Sequence, residues 1–217
     1  MKKILMVLLA GGLTLGGQTM HFDDVSTDKP PAGWTVAMTH QGGPPKWVVI
    51  ADETAPSRPN VLAQLSNDAT SSRFPLAVYD AVSATDGTIH VKFKTIAGKE
   101  DQAAGIVWRF RDADNYYLVR ANALENNVVL YKVERGTRTA IAPKGTPVNT
   151  YGVKHTVPSR TWCELAVEFR GNVFSVVFNG QKLFEAGDST FNQAGKIGLW
   201  TKSDSVTYFD EFSFERK

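Results

Sequence analysis

The run from Trp162 to Glu215 constrains the fold most. Cys163, Leu165, Val167 and Phe169 alternate with Glu164, Ala166 and Glu168, the period-two pattern of a strand with one buried face. Phe174, Val176 and Phe178 continue the apolar row after Gly171-Asn172, and Asn179-Gly180 precedes QKLFEA. Asn-Gly readily takes the positive φ angles of a two-residue hairpin. GKIGLWTK and SVTYFDEFSFE close the run as further strands. A chain built this way stacks sheets.

Upstream segments repeat the theme. TVAMTH (35–40), WVVIAD (47–52), NVLAQLS (60–66), LAVYD (76–80), TIHVKFKTI (88–96), GIVWRF (105–110), YYLVRAN (116–122) and NVVLYKV (127–133) read as strands, and Phe22 as the start of a short one. Turn-forming residues separate them, as in QGGPPK and ETAPSRP. Roughly 13 to 15 short strands without an amphipathic helix predict an all-β, two-sheet antiparallel sandwich. Any helix would be a turn or two near 65–73 or 157–161.

The chain opens MKKILMVLLAGGLTLGG, two lysines before an apolar stretch and small residues, the pattern of a secretory signal rather than a membrane span. Residues 1–17 are therefore expected to be a signal peptide, and 18–217 one exported domain, periplasmic or extracellular and monomeric. Without Lys2 and Lys3 the 24 Lys and Arg fall to 22, equal to the 22 Asp and Glu. A neutral chain with no basic block is a poor partner for nucleic acid or an anionic membrane surface. Cys163 is the only cysteine, so no intrachain disulfide forms, and its parity makes it a buried thiol.

Candidate binding residues come from parity on the 105–122 hairpin. Ile106, Trp108 and Phe110 alternate with Val107 and Arg109; Tyr117, Val119 and Ala121 alternate with Tyr116, Leu118, Arg120 and Asn122. Burying an unpaired guanidinium is costly, so Arg109 and Arg120 are expected to leave the core together. That puts Arg109, Tyr116, Arg120 and Asn122 on one wettable outer face, with Glu125 in the next turn. Such a face is either a ligand surface or a solvated sheet face with cross-strand ion pairs. Trp200, Lys202 and Asp204 also share parity, and an indole flanked by hydrogen-bonding groups suits a sugar. Trp200 reads equally as core, while Trp34, Trp47, Trp108 and Trp162 read as structural.

Asp210 has the parity of Phe212 and Phe214, and Asp24 that of Phe22. A carboxylate aimed at a core must be paired, hydrogen-bonded or metal-bound. If the first and last strands are neighbours, Asp24 and Asp210 could hold a structural Ca²⁺; the alternative is a carboxylate accepting turn N–H groups.

The segments WCELAVEFRGNVFSVVFNGQKLF, GKIGLWTKSDSVTYFDEF and GIVWRFRDADNYYLVRAN together resemble the concanavalin A-like lectin/glucanase superfamily. Among its members the chain is similar to secreted jelly rolls of the 3-keto-disaccharide hydrolase domain family and to laminin-G-like modules. The resemblance implies two antiparallel sheets, a concave ligand face and a carbohydrate partner. It implies either a lectin-like, non-catalytic binder or a glycoside hydrolase or lyase acting on a (keto-)disaccharide or polysaccharide. The three-acid strand of family 16 glycosidases, with its two carboxylates flanking the scissile bond, is missing. Ala103-Ala104-Gly105-Ile106 and Tyr116-Tyr117-Leu118 stand where keto-disaccharide hydrolases carry Asn-Ser-Gly-Ile and a tyrosine–glutamate pair. His21, His40, His90 and His155 lack zinc spacing, although His40 and His155 lie in loops from which a concave site is within reach.

Overall fold

The structure is a computed structural model that describes residues 18–217; the expected leader, 1–17, lies outside the described residues. In chain order the strands are β1 (Gln18–Met20), β2 (Trp34–Thr39), β3 (Trp47–Ala51), β4 (Asn60–Gln64), β5 (Phe74–Ala84) and β6 (Gly87–Ala97). Then come β7 (Ala103–Asp112), β8 (Asn115–Asn122), β9 (Asn127–Glu134), β10 (Thr137–Ile141) and β11 (Val153–Lys154). β12 (Cys163–Arg170), β13 (Val173–Phe178), β14 (Gln181–Gly187), β15 (Gly195–Trp200) and β16 (Val206–Arg216) complete the chain. Phe22 falls in a turn region after β1 rather than in a strand, and 65–73 and 157–161 are irregular rather than helical.

The strands form two eight-stranded antiparallel sheets. Sheet A runs β14-β13-β12-β6-β16-β4-β3 with β1 added on β16; sheet B runs β10-β9-β8-β7-β15-β5-β2 with β11 on β9. The Asn179-Gly180 turn forms as its residues dictate, with φ of 48° and 76° and Phe178 opposite Gln181. Asn179 also accepts the backbone N–H of Glu164 at 2.7 Å.

The inter-sheet core is aromatic. Trp108 stacks on Tyr117 and Phe169 at 5.5 and 6.0 Å, and Phe174 lies 4.8 Å from Tyr117. Trp34, Trp47, Phe93, Phe209 and the buried thiol Cys163 belong to the same cluster. Burial pushes the Cys163 thiol pKa up, with Asn179 acting against it. Trp162 is half-buried on the outside of sheet A, where its indole donates to Thr54 Oγ1 and lies against Lys94.

A second apolar cluster, including Leu76, Val107, Leu118, Val129 and Trp200, covers the other face of sheet B. Sheet B is rolled. β2 and β8 are four strands apart, about 19 Å in a flat sheet at about 4.8 Å per step. Yet Thr39 Oγ1 lies 2.7 Å from Tyr116 OH and donates to the Ala113 carbonyl at 2.5 Å. His40 Nε2 reaches the Gly136 carbonyl at 2.7 Å, so the β2 edge meets the tips of the β7–β8 and β9–β10 hairpins. The face expected to be open and wettable is therefore a roofed trough, because rolling lets its large side chains cover one another.

Two β-bulges overturn two parity assignments. Trp108 is in the core, but Arg109 adopts φ 48° where the β7–β8 register breaks. Its guanidinium turns to the sandwich side, over the rings of Phe169 and Phe174, and not to the trough with Arg120. Glu211 has φ 46° at the register break in β16, so Phe209 and Phe212 both enter the core and the residues between them are displaced. Asp210 thus lies beneath the 52–58 loop beside Ser57 instead of in the row of Phe212 and Phe214.

Candidate functional site

The functional candidates gather at one end of the trough. Arg120 on β8 gives two parallel bonds to Glu125, Nη1–Oε1 3.0 Å and Nη2–Oε2 2.8 Å, and a third to Asn127 Oδ1 at 2.7 Å. This fork-to-fork pairing is the strong form of a charge-assisted hydrogen bond. Asn122 Oδ1 accepts the backbone N–H groups of Leu124 and Glu125, which folds the β8–β9 turn and aims Glu125 back at Arg120. Asn122 Nδ2 donates to Asp101 Oδ1 at 2.6 Å and to Glu125 Oε1 at 3.2 Å, so one amide holds two neighbouring carboxylates.

Asp101 is in turn paired with Lys202 and lies 4.0 Å from Arg120 Nη1. Its position is set from behind by Asp204, whose carboxylate accepts the backbone N–H groups of Lys99, Glu100 and Asp101. Burial opposes the charge of Asp204, but those three donors outweigh it and hold its carboxyl below the usual range. Asp204 is thus a positioning residue for the loop.

Arg120, Asn122 and Asp101 are buried, while Glu125 is 38 % exposed at the mouth and Lys202 is half-buried. Tyr131 and Tyr151 flank Arg120, the latter exposed. Burial disfavours the Arg120 cation, but Tyr131 and Glu125 more than compensate and its pKa is raised. Glu125 shows the mirror image: burial pushes it up, and Arg120 and Asn127 pull it below the ordinary value. The result is a charge-balanced lattice of donors and acceptors, apolar on its inner side and open to solvent at Glu125.

Of the residues selected from sequence, the trough brings together Tyr116, Arg120, Asn122, Trp200 and, at its mouth, Glu125 and Lys202. Trp200 is fully buried, but on the trough side of sheet B and not between the sheets. Gly105 makes that seat: a Cβ there would stand 2.7 Å from Leu118 Cδ1 and 3.2 Å from Trp200 Cε3. Arg109 is elsewhere, bonded to the carbonyls of Thr85, Phe191 and Gly171. Sequence reading missed Asp101, Asn127, Tyr131 and Tyr151. The Asn122-x-x-Glu125-x-Asn127 spacing signals Asn127, whereas nothing local to Asp101 marks it.

For the calcium expectation, β1 and β16 are indeed neighbours. Asp210, however, accepts the Ser57 N–H and hydroxyl at 2.8 Å each and the Glu211 N–H at 2.7 Å, and Asp24 is exposed. Burial nonetheless raises the Asp210 pKa, only partly offset by Ser57. Among the described residues no cluster of three or more His, Cys, Asp or Glu could hold a metal ion. His40 lies at the trough rim against Phe74, and His155 lies against Phe178 at the sandwich edge.

Two antiparallel sheets, one of them rolled and carrying the candidate site, define an all-β jelly-roll sandwich. Residues 19–214 match the 3-keto-alpha-glucoside-1,2-lyase-like domain, and the chain belongs to that family. Among solved structures it is similar to the carbohydrate-binding module CBM66 from Bacillus subtilis, at 22% identity and TM-score 0.63 over 84% of this chain and 95% of that one. It is also similar to the cellulose-induced protein Cip1 (12% identity, TM-score 0.55, 85% and 91% of the two chains). A third likeness is to a xylan β-1,4-xylosidase from Bacillus halodurans C-125 (14%, TM-score 0.52), covering 73% of this chain and 33% of that enzyme. At these identities the likenesses establish the fold. No curated protein sequence matches significantly.

Proposed function

We propose that the protein is an exported, monomeric carbohydrate-binding sandwich that holds a sugar at the Arg120–Glu125 end of the trough without cleaving it. One observation carries this reading: Arg120, Asn122, Asn127, Asp101, Glu125 and Lys202 present alternating donors and acceptors beside apolar walls, and the lattice opens to solvent at Glu125. Vicinal hydroxyls both donate and accept, so a sugar ring can exchange into such a lattice without leaving a charge unpaired. The match to a carbohydrate-binding module along 95% of its length supports it. A general acid needs a pKa lifted toward the working pH, and Glu125 is pushed the opposite way by Arg120.

Calorimetric titration against a panel of neutral and acidic mono- and oligosaccharides tests this. We expect binding that Asn122→Ala weakens at least tenfold with the fold retained by circular dichroism; unchanged affinity would remove the site. The second reading, a lyase or hydrolase, is favoured by family membership and by the two carboxylates sharing Asn122 Nδ2. Steady turnover of a 3-keto-glucoside, abolished by Asp101→Asn, would establish it in place of pure binding.

A further inference from the structure

Three donors on the trough face of sheet B are buried and have no hydrogen-bond partner among the described residues: Arg120 Nε, Arg138 Nη1 and Trp200 Nε1. They form one group. The Arg138 guanidinium lies 4.6 Å from the Tyr131 ring centroid and 5.8 Å from that of Trp200, and Arg120 lies 5.6 Å from the same Tyr131. Orphaned donors are expensive inside a protein, and two guanidiniums against one ring, with the Trp200 indole beside the second, mark a place where acceptor atoms are wanted.

The charges point the same way. Glu125 answers Arg120, and Asp101 answers Lys202. Arg138 makes no ion pair among the described residues; nor does Asp114, the acid on the neighbouring hairpin turn. Arg138 thus lies over an aromatic floor without a carboxylate partner, reaching inward from the edge strand β10.

We propose that the trough takes an acidic saccharide, with the carboxylate of a uronic acid residue accepting from Arg138 and the Trp200 indole while neighbouring hydroxyls engage the Arg120–Glu125 lattice. This rests on the sugar-binding reading above and narrows its ligand class. A planar carboxylate matches a guanidinium edge and has lone pairs to spare for the indole N–H. Arg138 is only half-buried and lies on an edge strand, so it can swing aside to admit the ring and close on the acid.

The test compares glucuronic and galacturonic acid oligosaccharides with their methyl esters, which keep the sugar and remove the charge, using the full chain. The acids are expected to bind about tenfold or more tightly than the esters. Arg138→Gln should erase that gap with the fold retained by circular dichroism, and the indole N–H resonance lost in Trp200→Phe should shift with the acid only. Equal affinity of acid and ester would overturn this inference and leave sugar binding standing. Preference for sulfated sugars over uronates would overturn the carboxylate assignment. Failure of acidic and neutral sugars alike would remove both.

Discussion

Arg109 and Arg120 sit on adjacent strands of one hairpin, both almost fully buried, yet they are held in opposite ways. Arg109 donates to three backbone carbonyls, Thr85, Phe191 and Gly171, with Asp86 3.7 Å away at the surface. Arg120 donates only to side chains, those of Glu125 in the β8–β9 turn and of Asn127 at the start of β9. Carbonyls in three separate loops cannot be exchanged for a ligand without unpicking the chain, so Arg109 is a clamp at the sandwich end. Side-chain carboxylates and amides can rotate toward a bound hydroxyl, so Arg120 belongs to a site. Burial therefore does not separate structural from functional arginines; the nature of the partner does.

Breaking the clamp is the largest expected effect. Arg109→Met removes the donor shared by three carbonyls, that of Phe191 buried, and unties the 85, 171 and 191 loops, and should cost about 3–5 kcal/mol in urea unfolding. A loss below about 1 kcal/mol would show the carbonyl cage to be dispensable. Glu125→Gln keeps the shape of the lattice but halves its compensation of Arg120, leaving Asp101 as the nearby acid. We expect a smaller loss, about 1–3 kcal/mol, accompanied by a drop in sugar affinity that Arg109→Met does not produce in its folded fraction.

The smallest effect sharpens the comparison by pH. Because the Glu125 pKa is lowered on folding, its contribution is fully present above the ordinary value of 4.5 and is lost as pH falls through the folded value below it. The stability gap between wild type and Glu125→Gln should therefore narrow on acidification below about 4.5, measured by thermal melts. A gap that widened there would contradict the Arg120–Glu125 pairing.

Alternation located most of the fold and part of the site. Val107, Tyr116, Leu118, Arg120 and Asn122 lie on the predicted face because β7 up to Trp108 and β8 from Tyr116 are regular. Arg109 and Asp210 went to unexpected places for one shared reason: a residue at positive φ, Arg109 itself and Glu211, inserts an extra step, and neither is a glycine that would announce it. Rolling of sheet B was invisible for another reason. It depends on contacts such as Thr39 with Tyr116, far apart in sequence, and it turned an exposed face into a second core. Asp101 escaped notice since its place is fixed by Asp204, 103 residues away along the chain.

The strand order has a consequence for how this molecule is made. β15 lies between β7 and β5 in sheet B, and β16 lies between β6 on one side and β4 and β1 on the other in sheet A. The middle of each layer is thus filled by a strand later in the sequence than both of its neighbours, and neither layer can seal around its aromatic interior until that strand is in place. Deleting β16 would remove a keystone rather than trim an edge, because β6 would lose its contact with β4 and β1 together.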